Sequence, residues 1–276
     1  MNIVLASDEK FAPHMAVTIT SILVNSDKED DFNFFIFNND FSKQTKENFL
    51  KLRNIKDCKI NFIDLSENDF SNLPTMLHYK KQIYYRLKIP EYIKEDRALY
   101  LDSDIIVRKS LKDFYNIDLK NNTMAVVEDI FGDRYKEKFK LDKYFNSGVL
   151  LLDINKAREN NFCEKCIEFI TENRNESICY DQDALNVVLK DNVLFCDLKY
   201  NFQYNKSYKD IAELYKKYEK DICIIHFVTG DKPWNFGSPG NFISEYYRYI
   251  YKTPWSWYSF FRKIKLIKEI LSHYIL

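Results

Sequence analysis

In this chain of 276 residues, two aspartates stand out as able to do chemistry. Asp102 and Asp104 close an apolar run in Arg97 to Val107 (RALYLDSDIIV). Ala98-Leu99-Tyr100-Leu101 has the length of a buried strand. In an extended backbone, side chains two apart point the same way, about 7 Å from each other. That reading sets both carboxylates at the C-terminal edge of a sheet, where open α/β sheets bind ligands. Two hard oxygen donors there suit Mn²⁺ or Mg²⁺ bridging to phosphate. Read alone, Asp-Ser-Asp also fits an ordinary solvated turn.

Other residues add to the pair. His226 lies near the end of an apolar run, Asp221 to Phe227 (DICIIHF), as either a third ligand or a core histidine. Thr229-Gly230-Asp231-Lys232-Pro233-Trp234 follows and holds Lys232 between a glycine turn and Pro-Trp, where it can neutralise a phosphate as a point charge. Asp8 and Phe11 follow the first strand and could hold a base by hydrogen bond and stacking. Arg86 either snorkels at the surface or reaches a phosphate or sugar. Asn146 and the Asp181-Gln182 pair can read sugar hydroxyls, while one of Asp181 and Asp183 serves as a helix cap. The chemistry this set serves is departure of a nucleoside diphosphate from a sugar, with cation and lysine opposing the developing charge.

The elements that must position these groups alternate. Asn2 to Ala6, Asn33 to Phe37, Lys59 to Ile63, Met124 to Val127 and Phe145 to Asp153 read as strands. Helices are expected from Pro13 to about Asn25, Lys43 to Leu52, Ile83 to Ile93 until Pro90 disturbs it, and 155–172. This pattern predicts an α/β fold with a mostly parallel sheet flanked by helices.

Composition excludes several classes. Lys plus Arg equals Asp plus Glu at 41 each, so no net field argues for nucleic acid. There is no G-x-G-x-x-G and no P-loop among the five glycines, and that sparing use marks two places, Gly148 and the segment holding Gly230, Gly237 and Gly240, where the backbone needs close approach or positive φ. The six cysteines form no framework, and Cys163-x-x-Cys166 falls in a helical stretch as core packing. No leader-like segment opens the sequence, and no apolar run has a membrane span's length. A cytoplasmic protein with reduced thiols is expected.

Six segments taken together resemble glycosyltransferase family 8 of the GT-A fold, and bacterial lipopolysaccharide and lipooligosaccharide galactosyl- or glucosyltransferases in particular. They are ASDEKF (6–11), YYRLKIPEYI (84–93), YLDSDIIV (100–107), FNSGVLLLD (145–153), DQDALN (181–186) and HFVTGDKPW (226–234). The resemblance implies a retaining transfer of galactose or glucose from a UDP-sugar to a glycan or glycolipid acceptor in cell-surface polysaccharide synthesis. It implies Mn²⁺, with Mg²⁺ as a substitute, on Asp102, Asp104 and His226. Ala6, Asp8, Phe11, Arg86, Ser103, Asn146, Ser147, Asp181, Gln182, Gly230 and Lys232 would surround the donor with Asp102. Gln182 and Asp181 would act at the sugar carbon. The chain departs from the family pattern at Glu9, Lys10 and Thr229.

Residues 1–246 are expected to form the catalytic domain and 247–276 a basic, aromatic helical tail. In the segment from Tyr251, Lys252, Arg262, Lys263, Lys265 and Lys268 face a single Glu269, with Trp255 and Trp257 nearby. A basic amphipathic helix of this kind binds the inner leaflet of a membrane peripherally. Two other functions fit parts of the sequence: an Asp-x-Asp phosphatase, and a non-catalytic protein that binds a sugar nucleotide.

Overall fold

Strand β1 (Asn2–Ala6) is hydrogen-bonded on both sides, parallel to β2 (Asn33–Asn38) and to β4 (Arg97–Leu101). The structure is a computed structural model and describes residues 1–66, 70–74, 81–175, 179–205, 207–230, 232–235 and 240–257. With β3 (Lys59–Asp64), β6 (Met124–Glu128), β7 (Phe145–Asp153) and β8 (Val193–Cys196), these strands make a seven-stranded sheet of order β3-β2-β1-β4-β7-β6-β8. Only β7 runs against its neighbours, so the sheet is mostly parallel, as the alternation predicts. A second sheet of β5 (Ile105–Val107), β10 (Ile224–His226) and β9 (Phe202–Gln203) lies beside it.

Helix α1 (Ala12–Val24) opens on Pro13, and α2 (Lys43–Leu50) precedes the outer strand. The others are α3 (Ile89–Tyr92), α4 (Lys112–Tyr115), α5 (Asp133–Phe139), α6 (Ile154–Glu159), α7 (Phe162–Glu172), α8 (Tyr180–Val188), α9 (Ile211–Tyr218) and α10 (Gly240–Ile250). Alternation along the strands of the main sheet divides its core in two, and a third cluster with Ile106, Phe202 and Ile225 surrounds the second sheet. Ile3, Leu5, Leu99 and Leu101 pack with α1, while Val4, Tyr100, Leu150 and Leu152 pack with α7 and α8 on the other face. The sequence runs of mixed Val, Ile and Leu are those of strands covered on both faces.

Four local expectations change. The run from Arg97 to Val107 is two strands, because β5 turns away to pair antiparallel with β10. One straight strand cannot serve both sheets, so Asp102 and Asp104 flank a turn rather than project from one extended segment. The expected helix 155–172 breaks between α6 and α7, where Asn161 adopts φ 47°, a left-handed conformation that asparagine tolerates. Pro90 sits in the first turn of α3 instead of ending a helix, after a 3₁₀ segment over Lys81–Lys88. Trp255 is buried against Phe49, with ring centroids 5.0 Å apart, so it belongs to the core and not to a membrane-facing surface. The rest of the proposed tail, 258–276, lies outside the described residues.

Candidate active site

The strand order reverses between β1 and β4, the place where an open sheet leaves a crevice at its C-terminal edge. Asp8 follows β1 there and Asp102 follows β4. The two loops are tied by the Ser103 hydroxyl, which donates to the Ala6 carbonyl at 3.1 Å. Because β7 is antiparallel, its N-terminal residues Asn146-Ser147-Gly148 reach the same edge, and Asp102 N–H donates to the Gly148 carbonyl at 2.9 Å. The β5–β10 pairing sets His226 opposite Ile105, one residue beyond Asp104.

These placements gather the three expected ligands. One oxygen each from Asp102 and Asp104 and one His226 nitrogen lie within 4.8 Å of one another. His226 Nε2 is 3.2 Å from Asp104 Oδ1 and 3.7 Å from Asp102 Oδ2. Lys232 Nζ is 2.5 Å from Asp104 Oδ2 and also donates to the Phe227 carbonyl. Burial would raise the Asp104 pKa, but Lys232 and His226 outweigh it and hold the carboxyl well below the usual range.

The cluster fits a divalent cation on three counts. Asp104 Oδ1 is buried yet makes no hydrogen bond of good geometry among the described residues, a costly state unless a cation takes it. The donors are two hard carboxylates and an imidazole, a set that suits an octahedral cation keeping other ligands of its own. Gly148 leaves the necessary space: a Cβ there would fall 2.2 Å from His226 Cε1 and 2.6 Å from Asp102 Oδ2. By contrast, a Cβ at Gly230 meets nothing within 4 Å, so packing within the protein does not demand glycine there.

The expected sugar-side residues also converge. Arg86 is buried, not snorkelling: it donates to Asp102 Oδ1 at 2.9 Å and to Ser147 Oγ at 2.9 Å, and its Nε lies 3.1 Å from Asp181 Oδ2. Burial alone would lower the arginine pKa, and the charges of Asp102 and Asp181 with the Tyr100 hydroxyl more than reverse that. Asp181 goes the other way, pushed up to about 6 by burial despite Arg86. Gln182 Oε1 accepts from Ser147 N–H at 3.0 Å, and its amide nitrogen donates to Asp129 Oδ2 at 2.9 Å. Neither aspartate is the N-cap of α8, which is Cys179 and makes no side-chain capping bond; Asp183 lies inside the first turn and reaches back to accept from Cys179 N–H at 3.1 Å.

On the base side, Asp8 is buried and accepts from Phe11 N–H at 3.0 Å, while Phe11 is 41% exposed and its ring lies edge-on to His14 and Trp234. Trp234 stacks on His14 of α1 at 3.6 Å, which anchors the Lys232 loop beside Phe11. The departure at Glu9 has a structural account. Its carboxylate accepts from Ser42 N–H at 3.0 Å and Thr45 Oγ1 at 2.6 Å, holding the start of α2 rather than a base.

Sequence reasoning missed Asn201, Asp129 and Tyr100 as site residues. Asn201 is fully buried between His226 and Asn146, Asp129 orients Gln182, and the Tyr100 hydroxyl donates to Asp102 Oδ1 at 2.7 Å. Only Asp129, at a strand end, carried a signal that could have been read.

The model of glycosyl transferase family 8 matches residues 2–237. The chain belongs to that family. As a family 8 member it has similar relatives, among them general stress protein A of Bacillus subtilis, 31% identical over 93% of this chain and 95% of that one. Lipopolysaccharide 1,2-glucosyltransferase of Escherichia coli is 25% identical over 92% and 79%. Galactosyltransferase LgtC, solved with donor and acceptor sugar analogs, superposes with a TM-score of 0.81 at 25% identity, over 94% of this chain and 99% of that one. This glycosyltransferase therefore has the GT-A fold. The phosphatase alternative loses its footing, since Asp102 follows the fourth strand, not the first, and is held by Arg86 and Tyr100.

Proposed function

We propose that this glycosyltransferase moves a hexose, galactose or glucose, from a UDP-sugar to a glycan or glycolipid acceptor with retention of configuration, in synthesis of cell-surface polysaccharide. The observation that carries the reading is the Asp102, Asp104 and His226 trio with Lys232 on the same carboxylate. A Mn²⁺ ion held by these three, or Mg²⁺ in its place, would oppose the negative charge on the departing diphosphate.

The side chains divide the work. Asp8 and Phe11 hold the uracil, with Ala6 and Ser103 along the ribose and Gly230 and Lys232 at the diphosphate. Arg86, Asn146, Ser147, Asp181 and Gln182 form the floor under the sugar. A double displacement needs a carboxylate nucleophile. Gln182 is an amide, and Asp181 is engaged by Arg86 and Ser147. Front-face attack follows. The acceptor oxygen bonds to the anomeric carbon as the bond to diphosphate breaks on that face. The acceptor proton passes to the leaving phosphate oxygen, and Gln182 stabilises the cationic carbon.

No helix among the described residues is long and apolar enough to cross a membrane. A cytoplasmic enzyme held at the inner leaflet by its basic C-terminal segment reconciles that with a glycolipid acceptor. The direct test is UDP release from a panel of UDP-hexoses with Mn²⁺ present, with the product anomer read by proton NMR. An α-linked product from an α-donor is expected. Nucleotide binding without release from any donor would favour the non-catalytic reading instead.

A further inference from the structure

The polarity of one hydrogen-bond chain can be worked out from a backbone group. Gly148 N–H donates to Asn146 Oδ1 at 3.0 Å. A backbone N–H can only donate, so the Asn146 atom facing it is the oxygen. Asn201 meets that same oxygen at 2.9 Å and must present its NH₂ to it. Its carbonyl oxygen is then the atom 3.0 Å from His226 Nδ1. An amide oxygen only accepts, so Nδ1 carries a proton. The nitrogen left facing Asp102 and Asp104 is Nε2. Flipping Asn201 to suit the other tautomer would set two amide oxygens against each other. No hydroxyl, which could rotate to serve either arrangement, interrupts this chain of bonds.

The adjacent backbone donor gives the same kind of reading on the sugar side. Ser147 N–H sets Gln182 Oε1, and the Gln182 NH₂ turns to Asp129. Two consecutive amides at the start of β7 thus orient both a metal-ligand candidate and the amide beneath the sugar.

We propose that Asn201 is a positioning residue that holds His226 in its Nδ1–H form and so presents Nε2 as the ligand atom. Asn201 is fully buried, sits at the end of the 3₁₀ turn Leu198–Tyr200, and contacts no substrate in this scheme. Partners of this kind fix the ring and its tautomer in metal sites. The consequence for metal affinity rests on the cation reading above, whereas the tautomer itself does not.

The test has two arms on the full chain. In metal-free protein with ¹⁵N-labelled histidine at alkaline pH, the His226 ring, assigned by its absence in His226→Gln, should show a protonated Nδ1 and a bare Nε2. In Mn²⁺ titrations followed by the EPR signal of free ion, Asn201→Leu should bind roughly 10–100-fold more weakly. Asn201→Asp, which still accepts from Nδ1–H but sets an oxygen against Asn146 Oδ1, should bind Mn²⁺ more tightly than Asn201→Leu and less tightly than the wild type. A protonated Nε2 with bare Nδ1, or Asn201→Leu binding Mn²⁺ as tightly as the wild type, would overturn the proposal. Should Asn201→Leu not fold, the wild-type spectrum and Asn201→Asp decide. A wild type that binds no Mn²⁺ overturns the cation reading, and the spectrum still judges the bond from His226 to Asn201.

Discussion

Gly148 lies so close to His226 that a single methyl group at its Cα would fall 2.2 Å from the imidazole Cε1. The contact joins the antiparallel strand of the main sheet to the last strand of the second sheet, and Asp102 completes the corner. Glycine is required here by space, not by backbone angle. Gly148→Ala is therefore expected to move His226 or Asp102 off the cation position. Turnover should fall on the order of 100-fold, with destabilisation of about 1–3 kcal/mol. Mn²⁺ titration and urea unfolding measure the two separately, and unchanged Mn²⁺ affinity would refute the geometric account.

Asp104 accepts from Lys232 and lies against His226, and its buried Oδ1 has no good hydrogen-bond partner among the described residues. Asp104→Ala is expected to abolish Mn²⁺-dependent UDP release while circular dichroism stays that of a folded protein. Residual release at the wild-type rate in Mn²⁺ would contradict a ligand role.

Asp181 supplies a pH signature. Its folded pKa of about 6 lies above the unfolded value, so the native state keeps a proton that the unfolded chain has lost. Stability from this group is full below about pH 4 and falls as pH rises to about 6, by on the order of 3 kcal/mol in total. Asp181→Asn should flatten that part of the profile. Urea unfolding of both proteins at the two ends of the window checks it; parallel profiles would count against the burial argument.

Gln182 has both ends of its amide committed, to Ser147 N–H and to Asp129. Removing it in Gln182→Ala should reduce kcat on the order of 100-fold and leave residual transfer. A glycosyl adduct trapped on Asp129, Asp181 or Asp183 and seen by mass spectrometry would replace front-face attack with a double displacement.

Trp255 fills a space against Phe49, so the folded body extends past α10. Trp255→Ala should cost about 3–5 kcal/mol. Ending the chain after Ile250 should therefore damage folding, whereas ending it after Trp257 should leave a folded transferase with weaker binding to anionic vesicles. Equal vesicle binding by the shorter chain would remove the membrane role proposed for 258–276.

Much of the site was legible in residue order. The pair Asp102 and Asp104 after an apolar run, His226 near the end of another, and Lys232 between glycine and Pro-Trp needed only chemistry and spacing to suggest a cation and a phosphate. Alternation of strand and helix signals was enough for a mostly parallel α/β sheet, because burial on both faces imposes apolar runs that local patterns reveal. Sparing use of glycine marked two places; Gly148 is one of close approach, whereas a Cβ at Gly230 would meet nothing within 4 Å.

What tertiary structure decided were relations between distant residues. Whether Arg86 snorkels or is buried depends on Asp102, Ser147 and Asp181 meeting around it, and no periodicity encodes that meeting. The turn at Asp102-Ser103-Asp104 exists because β5 pairs with β10, more than a hundred positions later in the chain. Asn201 looks like any loop asparagine until strand register sets it between His226 and Asn146. Trp255 read as a surface anchor until Phe49 was found beneath it. The physical reason is common to all four. Local sequence determines which groups prefer a strand, a helix or water, but a buried polar group is settled only by the partner that long-range packing brings to it.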